Sequence, residues 1–138
     1  MVRLSIPRDY SISHRYADWA VVRSPDQELC LWLTRYHPGE GGRSEADFLD
    51  RFLAEVGEEL SGLRRWEIEP VERVLNGMPM LQVAIAAYSL SLGGEAQGGL
   101  FMIDATTYVL VVLVLVRADC FGRKRSELSQ FFASIRPD

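Results

Sequence analysis

The stretch Thr106–Cys120, TTYVLVVLVLVRADC, decides how the chain is read. Its centre, Tyr108–Val116, is nine apolar residues without a charge. As a helix it would rise about 14 Å, under half of a ~30 Å bilayer core. Arg117 and Asp119 close it on one side. Its valines branch at Cβ, which favours a strand. At about 3.3 Å per residue it becomes a strand of some 30 Å. It lacks apolar–polar alternation, so such a strand must be covered on both faces. The fold therefore needs a sheet with an apolar centre on both sides.

The rest of the chain supplies that sheet. Asp18–Arg23 and Leu29–Tyr36 read as strands around a Ser24-Pro25-Asp26 turn. After the loop HPGEGGR (His37–Arg43), Ser44 can cap a helix with Glu45 and Asp47 in its first turn. Phe48, Leu49, Phe52, Leu53, Val56, Leu60 and Leu63 share one stripe, and Gly62 is a stop signal. Trp66–Leu75 reads as a strand that Pro70 demotes to an edge or bulge. Asn76-Gly77 is the strongest hairpin signal, and Met80–Leu92 is the returning strand. Gly93-Gly94 and Gly98-Gly99 bracket a further turn, followed by strands Leu100–Asp104 and Thr107–Asp119. A helix over Lys124–Ile135 closes the chain, with Leu128, Phe131, Phe132 and Ile135 on one stripe. The expectation is a single α+β domain over residues 1–138, with a largely antiparallel sheet of about six strands flanked by two main helices.

Six strands make a sheet nearly 30 Å wide, and each helix is about 10–12 Å across. Two helices cover about one face. Yet Leu81, Val83 and Ile85 oppose Ala84, Ala86 and Tyr88, and both sets are largely apolar. Some apolar sheet surface therefore has no obvious partner among the helices; loops and the N-terminal segment can cover part of it, and what remains is expected to be a groove, a dimer interface or both.

Composition narrows the function. The net charge of -4 argues against nucleic-acid binding. Lys124 is the only lysine among many arginines, which reads as codon bias. MVRLSIPRDY carries no signal-peptide stretch, so a cytoplasmic protein is expected. Cys30 and Cys120 each lie in an apolar run and read as two buried thiols. They have no metal-ligand spacing, and no metal or cofactor is expected.

Catalytic signals are weak. His37 could sit at a site mouth but reads as a solvated loop residue. Gly39–Ser44 resembles a phosphate cradle only superficially, lacking the Walker spacing and its lysine. Glu67, Glu69 and Glu72 could form an acid pair, but a solvated edge explains them better. Arg123, Lys124 and Arg125 open the last helix against its dipole, marking either an acidic partner or an exposed loop end.

Four segments carry a family resemblance: EADFLDRFLAEVGEELSGL before WEIEPVERV, then NGMPMLQVAIAAYSL, then GLFMIDATTYVLVVLVLV, then LSQFFASIRP. Their order resembles the PsbP-like/Ran-binding Mog-like superfamily, which includes DcrB-type bacterial proteins. Within it the nearest likeness is to the Eag-type chaperones of type VI secretion, small cytoplasmic dimers that shield transmembrane helices of effectors. The resemblance implies a PsbP/Mog-like sandwich and a homodimer with no catalytic residues. It also implies a protein partner bound through an apolar or transmembrane segment, with no nucleic acid and no direct membrane insertion. The expected partner-binding residues are Trp32, Ala84, Ala86, Tyr88, Phe101, Val112 and Val114. The competing readings are a small-molecule or lipid-binding domain, a structural accessory subunit and, last, an enzyme. A chaperone needs an open apolar groove. A ligand binder needs a closed pocket with a few polar groups.

Overall fold

The computed structural model describes residues 2–16, 19–39, 44–57, 60–65, 69–89 and 92–137. Val109–Arg117 is indeed a strand, β8, in the middle of the sheet. It pairs antiparallel with β3 (Leu29–Tyr36) on one side and β7 (Gly94–Asp104) on the other. Beyond β3 lie β2 (Trp19–Arg23) and β1 (Ser11–Tyr16). Beyond β7 lies the long β6 (Met78–Ser89). Two short strands share the outer side of β6: β4 (Leu60–Arg65) along Ile85–Ser89, and β5 (Val71–Leu75) along Met78–Gln82. All described pairings are antiparallel.

Alternation along β8 sorts its side chains into two cores. Val111, Leu113 and Leu115 face α1 (Glu45–Gly57), with Cys30, Trp32, Phe52 and Val56. Leu110, Val112, Val114 and Val116 face α2 (Phe121–Ser134), with Leu29, Leu31, Phe131 and Ile135. The two thiols are thus buried on opposite sides of the sheet, with Cys30 in the first core and Cys120 in the second.

The N-terminal segment supplies a third cover. The N-terminal segment crosses the α2 face and packs Val2, Leu4, Ile6 and Tyr10 against the second core. It is tied down by paired backbone bonds between Arg3 and Arg136, and by Val2 N–H donating to the Tyr108 hydroxyl at 2.6 Å. The expectation of a broadly open sheet is therefore corrected. Val112, Leu113, Leu115 and Val116 are all fully buried within the single chain.

Two strands exceed the six expected, β1 and β4. Leu60 and Leu63 continue the helical stripe in sequence, but α1 stops at Gly57 and Leu60 enters the first core from a strand. Gly62, expected as the helix stop, instead sits inside β4 at φ 63°. Gly98 and Gly99 are likewise strand residues rather than a turn. A Cβ on Gly98 would lie 1.9 Å from the Val114 carbonyl oxygen, so only glycine allows β7 this close to β8. The Asn76-Gly77 hairpin forms as expected, with both residues at positive φ (49° and 84°), as a type I′ turn requires.

Candidate binding site

The α1 face is not closed everywhere. Ser44 caps α1, its hydroxyl accepting the Asp47 N–H at 3.1 Å, so the helix begins at Glu45. A helix of thirteen residues is about 20 Å long and cannot reach across seven strand positions. The β5–β6 hairpin carries the sheet past it. The register Glu72↔Leu81 and Val74↔Pro79 puts those four side chains on the α1 side, beside Met102 and Val109.

The result is a cleft of about 740 Å³. Its floor is Val74, Pro79, Leu81, Met102 and Val109, with Pro38 as one wall; Met80 borders it but buries its side chain in the second core. Its polar lining is Glu45, Glu72, Arg73, Asp104 and Thr106. Asp104 accepts the Thr106 N–H at 2.9 Å, and Thr106 is held at φ 77°. For a β-branched residue that is a strained conformation, stored at the cleft edge. Alongside runs β5, whose far edge has no strand partner among the described residues. Val74 is 73% exposed and Val71 39%, large apolar side chains on an open sheet edge.

The seven residues expected to bind a partner do not form one surface. Trp32 is wholly buried in the α1-side core, and its indole N–H has no hydrogen-bond partner among the described residues. Val112 and Val114 are buried in the opposite core. Phe101 is half-buried there against Phe132, with ring centroids 4.5 Å apart. By alternation Ala84, Ala86 and Tyr88 lie on that second face too. Ala86 is buried, Ala84 half-buried, and only Tyr88 is exposed. Sequence reasoning missed Val74, Leu81, Met102 and Asp104. The available signal was the short edge strand marked by Pro70 and Asn76-Gly77, since an edge is where cover runs out.

Other expected features resolve as structure. Arg123 and Lys124 find their acidic partners within the chain. The Arg123 guanidinium meets Glu28 at 2.8 Å. The buried Lys124 ammonium donates to Asp26 and meets Glu127 at 3.0 Å. Ser24 Oγ donates to Asp26 at 2.6 Å and accepts the Leu29 N–H at 3.0 Å, so the β2–β3 turn is pinned to α2. Burial alone would raise the Asp26 pKa. The hydrogen bonds from Lys124, Ser24 and the Glu28 N–H outweigh it and hold Asp26 at about 2. Burial would lower Lys124, but its bonds to Asp26 and Glu127 leave it raised.

His37 lies against the Tyr108 ring at 5.7 Å, next to cleft residue Pro38. Glu72 lines the cleft, and Glu69 is exposed, whereas Glu67 and residues 40–43 of the glycine-rich loop lie outside the described residues. No cluster of three or more metal-ligating side chains occurs among the described residues. No described helix is long and apolar enough to cross a membrane.

Two solved structures share this architecture. CyanoP, the PsbP of the cyanobacterium Synechocystis, superposes with a TM-score of 0.66 at 11% identity, over 99% of this chain and 86% of its own. The fold is PsbP-like. PA94 of Pseudomonas aeruginosa, a protein of unknown function suggested to be a regulator, gives a TM-score of 0.56 at 12% identity. That match covers 94% of this chain and 97% of PA94. No protein-family model and no curated protein matches the sequence. At these identities the likeness concerns the fold alone.

Proposed function

We propose that this PsbP-like domain is a non-catalytic binding protein that takes an apolar segment of a partner protein into the cleft beside β5. The observation that carries this reading is the bare end of the α1-side sheet face. There Val74, Leu81, Met102 and Val109 meet an unpaired strand edge. An extended guest laid there would find apolar side-chain contacts and an unpaired row of backbone groups together. The largely apolar floor of the cleft, Val74, Pro79, Leu81, Met102 and Val109, supports a binding role. The family resemblance adds a finer proposal: a cytoplasmic, dimeric chaperone for a type VI secretion effector.

The volume favours one competing reading, because about 740 Å³ lies within the range of small-molecule sites. The two are separated by titrating the protein with a fluorescent apolar peptide and, in parallel, a fluorescent fatty acid. The proposal expects peptide binding that Val74→Asp removes without loss of fold, because Val74 is mostly exposed. Fatty-acid binding without peptide binding would install the lipid reading instead.

A further inference from the structure

The cleft also carries a charge preference. Three carboxylates, Glu45, Glu72 and Asp104, line the cleft, whereas Arg73 borders it but pairs with Met80 and by alternation directs its side chain to the α2 face. None of the three carboxylates is in an ion pair among the described residues, whereas Arg117, Arg123 and Lys124 at the far end of the chain are all matched to carboxylates. The rim thus holds three carboxylates within a molecule of net charge -4. Such a rim attracts cationic ends and repels anionic ones.

Resting on the cleft reading above, we infer that the guest is a short apolar peptide segment flanked by lysine or arginine. Its apolar residues cover Val74, Leu81 and Met102, and its basic flanks meet Glu45, Glu72 and Asp104. Exposed ion pairs are individually weak, so the charges select among apolar guests rather than hold them.

The test uses three peptides with one eight-residue Leu/Val/Ser core, ended by lysine, serine or glutamate pairs, read by fluorescence anisotropy. At low salt the lysine-ended peptide should bind about tenfold tighter than the glutamate-ended one, with serine between. In 0.5 M salt the spread should shrink to about twofold. The double variant Glu72→Lys, Asp104→Asn leaves one carboxylate and one cation on the rim and should bring the three affinities to within about twofold of one another. Asparagine retains an oxygen for the Thr106 N–H, so the turn is kept. Equal affinities for the three peptides in the wild-type protein, or a tenfold order unchanged in the double variant, would overturn the charge inference. Loss of serine-ended binding in Val74→Asp would then still uphold the cleft. If the wild-type protein binds none of the three, the cleft reading and the charge inference fall together.

Discussion

Gly98 is the position where the packing of this sheet can be tested most sharply. An added Cβ would stand 1.9 Å from the Val114 carbonyl oxygen, 2.8 Å from its carbon and 3.3 Å from Leu115 Cα. All three are backbone atoms of the central strand, so no rotamer change relieves the contact. A carbon–oxygen contact relaxes near 3.3 Å, so β7 and β8 must part by about 1.4 Å. That displacement takes neighbouring ladder bonds beyond hydrogen-bonding distance. Losing two or three at about 1 kcal/mol each gives a cost of about 3 kcal/mol for Gly98→Ala. For a chain of this length that is a fall in Tm of about 10 °C. Gly99→Ala is the internal control. Its nearest neighbours are two ring atoms of Phe101, at 3.0 and 3.1 Å, on a half-buried ring that can shift, and the Val83 carbonyl oxygen at 3.2 Å, which needs to give by only about 0.1 Å. It should cost about 1 kcal/mol. Urea unfolding followed by tryptophan fluorescence measures both. A Gly98→Ala protein within 0.5 kcal/mol of wild type, or a Gly99→Ala protein equally destabilised, would refute the close strand approach.

Three further outcomes are expected. Asp26 titrates at about 2 in the fold against an ordinary 3.8, so the stability it supplies is complete above pH 4 and is lost as pH falls toward 2. Because Asp26 is partly solvent-exposed, that loss should be no more than about 1 kcal/mol, and Asp26→Asn should abolish this limb in acid unfolding curves. Asn76 Nδ2 donates to the carbonyls of Ile135 (2.5 Å) and Ala133 (3.3 Å), closing the end of α2 from a left-handed turn. Asn76→Gly should therefore cost about 1 kcal/mol and Asn76→Ala about 1 kcal/mol more, measured by denaturant titration. Val112→Asp places a carboxylate in a fully buried position, and circular dichroism should show an unfolded chain rather than a folded one with impaired binding.

The sheet centre was legible because nine consecutive apolar residues with β-branched centres leave few options. The same holds for the Asn76-Gly77 hairpin, whose turn chemistry is local. What escaped was decided by tertiary contact. Leu60 fits a helical stripe and a strand equally well, and its place in the first core chose the strand. Gly98-Gly99 reads as a turn until β8 is known to press on it. The N-terminal segment was open as a cover, but its extent was not legible because Val2, Leu4 and Ile6 are spaced apolar residues with little local signal. The site residues were misplaced for a related reason. The most apolar central positions were expected to bind, but those positions are the ones the chain covers first. The opening lies at the hairpin edge, beside the start of α1.

The most direct test places a photo-crosslinking amino acid at position 74, at the cleft, and separately at position 12, an exposed edge position in β1. Each protein is irradiated with the serine-ended apolar peptide, and the adducts are mapped by mass spectrometry. A guest seated beside β5 gives adducts from position 74 and none from position 12. Equal labelling from both positions, or labelling from position 12 alone, would contradict a binding site at this cleft.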